Sequence, residues 1–91
     1  MPARSKPGET VRLCTLGVAI RQRREACRLT QEQLAERANL HESYVSFLEN
    51  GRRYPCWDAL CALSAALEIR LSVLIRAAED LQRGSPACGP A

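Results

Sequence analysis

The residues best suited to recognise another molecule lie between positions 39 and 53, in the stretch NLHESYVSFLENGRR. Glu42 and Ser43 place a carboxylate and a hydroxyl near its head, and Arg52 and Arg53 place two cations at its end. In the major groove of DNA, acceptors and hydroxyls read base edges, whereas arginines hold phosphate oxygens without choosing a sequence. These are residue types that a DNA interface would use if a helix presented them to the groove.

Residues able to support catalysis or to hold a metal ion are few. His41 is the single histidine, and no serine or cysteine stands with it in a recognisable catalytic motif. The five cysteines include no C-x-x-C pair, so an ordinary zinc site is not indicated. We therefore expect no enzyme activity, no catalytic residues, no metal site and no cofactor.

Positive charge is concentrated in the first part of the chain. Residues 1–55 hold ten Lys and Arg against six Asp and Glu, whereas residues 56–91 hold three against four. The first part therefore suits an anionic partner and the second does not. No apolar run approaches the roughly 18 residues of a membrane span, and the basic start lacks the apolar core of a signal peptide. We expect no membrane contact and a cytoplasmic location.

The apolar spacing in the middle of the chain is helical throughout, which predicts an all-α fold with five helices. The helices are expected over residues 11–27, 31–38 and 42–49, then from about 56, and finally over 73–82. A flexible arm at 1–9 and a flexible tail at 83–91, both rich in Pro and Gly, flank one domain at 10–82.

Several helix ends carry recognisable local signals. Thr30 followed by Gln33 forms a capping box at the start of the second helix. Asn39 tolerates the left-handed conformation and is expected to end that helix. Ser72 is expected to cap the fifth helix.

The second and third helices, 31–38 and 42–49, are joined by a short turn, which is the arrangement of a helix-turn-helix. In that motif the first helix crosses the DNA backbone and the second enters the major groove by its N-terminal end. Ala35 and Ala38 supply the small residues that the helix crossing needs. The alternative is an ordinary helical hairpin without DNA contact.

The stretch LTQEQLAERANLHESYVSFLENGRRYP resembles the lambda-repressor-like, Cro-type helix-turn-helix family, and the resemblance covers about residues 13–76. The matching features are Thr30-Gln31, Leu34-Ala35, Leu40, Val45, Glu49-Asn50-Gly51 with the basic pair, Pro55 and ALSAALEIRLSVL. The resemblance implies a compact five-helix DNA-binding domain, with the helix-turn-helix formed by helices 2 and 3, encoded by a prokaryote or a phage.

Within that family, LHESYVS is most similar to the controller proteins of restriction–modification systems, whose usual pattern there is Leu-His-Arg-Thr-Tyr-Ile-Ser. Glu42 and Ser43 replace the usual Arg and Thr, and Asn39 and Glu68 replace usual glycines. The resemblance implies a homodimeric transcriptional regulator on a palindromic operator, with RNA polymerase as a further candidate partner. The alternative is the antitoxin of a toxin–antitoxin pair, which masks a toxin and autoregulates its operon.

The DNA contacts divide into two groups. Base edges are expected to meet the outer residues of the third helix, which are Glu42, Ser43, Tyr44 and Phe47. Phosphates are expected to meet polar and basic residues around it, which are Gln31, Ser46, Arg52 and Arg53.

Other residues are expected to support the interface from behind. The resemblance implies an internal ion pair between Arg24 and Glu49, and a core position for Trp57, which replaces a family Leu. The fifth helix carries more apolar residues than a lone C-terminal helix needs, which predicts a dimer interface there. The predicted interface residues are Leu74, Ile75, Ala78 and Leu81.

Overall fold

The computed structural model describes residues 12–84 and contains five helices, which confirms the all-α prediction. The helices are α1 (Leu13–Ala26), α2 (Gln31–Ala38), α3 (Glu42–Glu49), α4 (Trp57–Ala66) and α5 (Leu71–Gly84). No strand occurs between residues 12 and 84. The predicted arm, and the predicted tail from residue 85 onward, lie outside the described residues.

The start of α2 has the predicted capping box. The Gln33 backbone N–H donates to the Thr30 hydroxyl at 3.0 Å, and the Thr30 backbone N–H donates to the Gln33 side-chain oxygen at 2.9 Å. Two of the N–H groups that a helix start leaves without a backbone partner are thereby satisfied, which fixes where α2 begins.

The fifth helix begins earlier than the sequence predicted. Its first residue is Leu71, and the backbone N–H groups of Val73 and Leu74 both donate to the Arg70 carbonyl at 3.0 Å. Ser72 therefore lies inside the first turn and does not cap the helix, so that prediction is wrong. The helix also continues to Gly84, two residues beyond its predicted end.

Four helix ends use the same left-handed turn. The residue with positive φ is Arg28 (61°), Asn39 (58°), Gly51 (72°) or Glu68 (57°). In each case the next residue donates its backbone N–H to the carbonyl five residues back, as in a Schellman motif. The prediction for Asn39 is confirmed, and three of the four positions are occupied by residues that bear a side chain.

The core lies between α1 and the other helices. Helix α1 contacts α3 and α5, while α2 contacts α3 and α4. The largest fully buried side chains come from all five helices and the turn after α4, and they are Ile20, Leu34, Val45, Leu48, Leu63, Leu67 and Leu74. Their burial positions α3 with one side against the core and the other toward solvent.

Helices α1 and α3 are in close contact at Gly17. A Cβ atom added at Gly17 would overlap the Leu48 carbonyl oxygen and would lie 2.7 Å from that of Glu49. The absence of a side chain therefore allows α1 to pack directly on the C-terminal backbone of α3. No local sequence signal marks this position.

Trp57 is not a core residue, contrary to the expectation from the family resemblance. It is the first residue of α4 and 68% of its surface is exposed. The core side of this helix is instead taken by Ala59 and Leu63, at 2% and 0% exposure. Within the described residues, no helix is long and apolar enough to cross a membrane.

Candidate nucleic-acid interface

The third helix has one buried and one exposed side. Val45 and Leu48 are buried in the core, whereas Glu42, Ser43 and Phe47 are exposed. This alternation follows from the helical period, because residues three apart share a face. The described structure therefore presents three of the four predicted base-contacting residues to solvent along one short helix.

His41 caps the start of α3. Its ring Nδ1 accepts a hydrogen bond from the Ser43 backbone N–H at 3.3 Å and lies 2.8 Å from the Ser43 hydroxyl. His41 thus takes the position usually held by Ser, Thr, Asp or Asn. This cap was not predicted from the sequence. The cap fixes the direction of the first turn, which carries Glu42 and Ser43.

Tyr44, the fourth predicted base-contacting residue, lies half-buried beside the core. Its hydroxyl oxygen accepts a hydrogen bond of 3.4 Å from the backbone N–H of Cys56, the residue that precedes α4. The side chain therefore ties α3 to the start of α4. Its hydroxyl hydrogen is still available to donate to an acceptor on DNA.

The end of α3 turns sharply at Gly51. The Gly51 N–H donates to the Leu48 carbonyl and the Arg52 N–H donates to the Phe47 carbonyl, at 3.2 and 2.8 Å. Because φ of Gly51 is 72° and a Cβ there would lie 3.0 Å from the Cα of Cys14, this turn favours glycine. The turn places Arg52 and Arg53 in an exposed loop directly after α3.

Arg53 is held near α3 by an aromatic contact. Its guanidinium carbon lies 6.0 Å from the centre of the Phe47 ring, at the outer limit of a cation–π interaction. Phe47 itself is 40% exposed. The structure therefore brings together one predicted base contact and one predicted phosphate contact on the same surface.

Arg24 and Glu49 form an ion pair that joins α1 to the end of α3. Arg24 Nε lies 2.6 Å and Nη2 lies 3.1 Å from the two Glu49 carboxylate oxygens. Arg24 Nη1 also donates to the Leu29 carbonyl at 2.8 Å. The hydrogen bond to Glu49 raises the pKa of the Arg24 guanidinium above its ordinary value.

Gln31 joins the same network. Its side-chain amide nitrogen donates to a Glu49 oxygen at 3.0 Å, so Glu49 accepts bonds from α1 and from the start of α2. One hydrogen of that amide is thereby committed to Glu49, which leaves the other hydrogen to donate to a phosphate oxygen or to water. Ser46 is half-buried, and its hydroxyl accepts a weak 3.4 Å bond from the Asn50 amide.

Two of the four predicted dimer residues are inaccessible to a partner. Leu74 and Ala78 are 1% and 0% exposed because they pack into the core of their own chain, so their assignment to an interface is wrong. Ile75 and Leu81 are partly exposed and stay candidates. The apolar face of α5 is thus used mainly to complete the monomer.

The sequence of this chain is similar to those of known DNA-binding regulators and repressors. The sequence matches the helix-turn-helix domain family over residues 15–78. It is 41% identical to the immunity repressor protein of Bacillus phage phi105 over 61 residues, and these residues cover 67% of this chain. The chain spans only 42% of the length of that repressor, and 41% of each of two Mycobacterium tuberculosis regulators that it also matches.

Solved structures of similar proteins agree with the fold. The restriction–modification controller protein C.AhdI from Aeromonas hydrophila superposes with a TM-score of 0.67 at 35% identity, over 68% of this chain and 94% of that one. The controller protein C.Esp1396I, solved as a tetramer with its natural 35 base-pair operator, superposes with a TM-score of 0.72 at 25% identity. That superposition covers 78% of this chain and 93% of the controller.

Proposed function

This chain belongs to the helix-turn-helix domain family, and we propose that it is a transcriptional regulator that binds a palindromic operator in double-stranded DNA as a homodimer. The observation that carries the proposal is the construction of α3. Its inner side is locked by Val45 and Leu48, while its outer side offers Glu42, Ser43 and Phe47 to a partner. A short helix held in this way fits the major groove.

The similarity to controller proteins adds a finer proposal. C.AhdI and C.Esp1396I are restriction–modification controllers, and the latter was solved on its operator. By analogy, this chain would regulate neighbouring restriction–modification genes and contact RNA polymerase while bound upstream of them. This analogy supports the regulator over the antitoxin alternative. A cytoplasmic location is consistent with both.

The basic loop after α3 is proposed to hold the DNA backbone. Arg52 and Arg53 are exposed directly after the Gly51 turn, where they can neutralise phosphates beside the groove that α3 enters. Gln31 stands at the N-terminus of α2, where backbone N–H groups also favour an anion. Ser46 is proposed as a further phosphate contact beside these residues.

Glu42 is proposed to select a cytosine in each half-site. A carboxylate in the major groove can only accept hydrogen bonds, and the cytosine amino group is the donor suited to it. Its place at the positive end of α3 partly offsets repulsion by phosphates. The competing explanation is that Glu42 reads nothing and excludes wrong operators by repulsion alone.

Selection of binding sites from random duplexes, with wild type, Glu42→Ala and Glu42→Arg, tests the proposed function. We expect a two-fold symmetric consensus for wild type, because a homodimer presents two equal recognition helices. We also expect the alanine variant to lose about 1–3 kcal/mol of discrimination at one base pair per half-site. The arginine variant should then prefer guanine there.

Two outcomes count against these proposals. A wild-type protein that enriches no consensus is not the proposed regulator. If Glu42→Ala instead binds all duplexes more tightly with an unchanged preferred site, the cytosine contact is wrong and the carboxylate acts only by repulsion. Ser43→Ala is the matched control at the neighbouring position. It should change the preferred site little, because a serine hydroxyl can bond to several different bases and therefore selects weakly.

A further inference from the structure

An exposed apolar stripe runs along α4. Trp57, Cys61 and Ala65 follow one another at intervals of four residues, and all three are exposed. Residues four apart on a helix lie on one face, so these side chains form a continuous strip. Tyr54, three residues before Trp57 in the chain, is a second aromatic residue and is 72% exposed.

Aromatic exposure of this size is unusual in the described part of the chain. Trp57 is the only tryptophan in the sequence and is 68% exposed, so neither it nor Tyr54 contributes much to the core of the monomer. Trp and Tyr are enriched at the centres of protein interfaces because they bury a large apolar area while keeping a polar group at the edge.

The charge on this face argues against DNA as its occupant. Helix α4 carries a single charged residue, Asp58 in its first turn, and no lysine or arginine. Basic side chains strengthen phosphate binding, and they lie in the preceding loop at Arg52 and Arg53, not on α4. A nearly uncharged apolar face is suited to a protein surface of the same character.

A second copy of the same chain has that character. In a two-fold interface each patch meets its own copy, so a charged patch would repel itself whereas a neutral one would not. The stripe on α4 meets this condition. The outward face of α5 is less suited, because it carries four charged residues whose burial would cost desolvation: Arg76, Glu79, Asp80 and Arg83.

The available area is of the right order. An aromatic side chain buries about 150–250 Å² when enclosed, so the exposed fractions of Trp57 and Tyr54 leave roughly 200–350 Å² of surface per protomer. A standard interface takes about 800 Å² from each partner. The two aromatic side chains would therefore supply roughly a third of it, as the central residues of an interface commonly do.

We propose that Trp57, with Tyr54 and Cys61, forms the centre of the homodimer interface, on α4 rather than on the buried positions of α5. This inference rests on the proposed homodimer and names the surface that makes it. It also explains why Trp57 occupies an exposed position that contributes little to the monomer.

Sedimentation velocity over a range of concentrations tests this interface, with wild type, Trp57→Ser and Cys61→Asp. Neither variant removes a core residue, since both positions are exposed, and circular dichroism checks that the fold is intact. We expect the dimer dissociation constant to rise at least tenfold in both. Cys61→Asp would bring two carboxylates together across the two-fold axis. Val73→Ser on α5, at 47% exposure, is the matched control and should leave the dimer intact.

Fluorescence gives a second readout, because Trp57 is the only tryptophan. Its emission should move to shorter wavelength as wild type dimerises and should stay at the solvent-exposed wavelength in Cys61→Asp. A dimer that survives Trp57→Ser but is lost in Val73→Ser would overturn the proposal. The proposal is also wrong if Trp57 emission does not change when the protein dimerises, or if the wild-type protein stays monomeric.

The closing measurement separates this inference from the proposed function. Both variants should still bind a duplex that contains a single half-site as well as wild-type monomer does, because α3 is unchanged. If wild type dimerises through Trp57 but binds no operator, the interface stands and the regulator proposal fails. If operator binding is sequence-specific and the dimer ignores Trp57 and Cys61, the regulator proposal stands and this interface fails.

Discussion

Removal of Arg24 should destabilise the domain more than any surface substitution, because it would leave the Glu49 carboxylate buried without its main partner. Glu49 is 2% exposed at its side chain and accepts two bonds from Arg24 and one from Gln31. Breaking a buried pair by deleting one member typically costs about 3–5 kcal/mol. A domain of this size has roughly 5–15 kcal/mol of stability in total, so Arg24→Ala should remove a large fraction of it.

The pair itself should contribute far less than that figure. Replacing both members by apolar residues of similar volume removes the desolvation cost along with the attraction, and often leaves stability about the same or 1–4 kcal/mol higher. We therefore expect Arg24→Met/Glu49→Leu to be much more stable than the sum of the single variants predicts. The expected coupling energy is at least about 2 kcal/mol.

Urea unfolding of wild type, Arg24→Met, Glu49→Leu and the double variant measures this coupling. The pKa of Arg24 is raised by its hydrogen bond to Glu49, so the stabilisation from the arginine is present below its ordinary pKa and is lost only as pH rises beyond that value. The cost of Arg24→Ala should accordingly be the same at about pH 6 and about pH 9. Single-variant costs that add within about 0.5 kcal/mol would refute the reasoning.

Three further predictions concern the backbone and the basic loop. Gly17→Ala should destabilise the domain by about 1–3 kcal/mol, because the added Cβ would overlap the α3 backbone. The control Val18→Ala, at the next position, should change the free energy of unfolding little. Thermal unfolding of both variants makes the comparison. Glu68→Gly should stabilise the domain by about 0.5–1 kcal/mol, because φ of residue 68 is 57° and glycine adopts this left-handed conformation without strain. Glu79→Gly inside α5 should instead destabilise the domain by about 1 kcal/mol. Changes of the same sign in both variants would contradict the account. Arg52→Ala should weaken binding to all duplexes and lower the slope of log affinity against log salt by about one; an unchanged slope removes Arg52 from the phosphate contacts.

Helix caps and turns could be predicted from the sequence where they depend on residues close together in the chain. The capping box of Thr30 and Gln33 and the left-handed turn at Asn39 involve residues within one helical turn, and the structure has both. Ser72 shows the limit of this reasoning, because a cap signal is effective only if the helix begins after it. The N–H groups of the first turn of α5 bond to the Arg70 carbonyl instead.

Features that depend on packing between helices could not be predicted from local sequence signals. The close contact at Gly17 exists only because α1 crosses α3 there, and no local signal marks it. The family resemblance placed Trp57 in the core, but burial is set by the neighbours of a position and not by the residue type that relatives carry there. Leu74 and Ala78 were correctly identified as apolar, yet periodicity alone does not distinguish a core face from a dimer face.

The candidate site was predictable in part for the same reason. Helical spacing separates Val45 and Leu48 from the outward residues, so the exposed side of α3 followed from the sequence. The cap formed by His41 did not, because histidine is an uncommon residue at that position. The contact of Arg53 with Phe47 joins residues on two sides of a turn and required the structure.

The central claim is that α3 enters the major groove of a two-fold symmetric operator. Methylation interference on the selected operator tests it directly, because methyl groups on guanine N7 block the major groove and those on adenine N3 block the minor groove. The account predicts two clusters of guanine N7 interference centred about 34 Å apart, one turn of DNA, on the same face of the duplex. Interference confined to adenine N3, or a single cluster for a bound dimer, would contradict it.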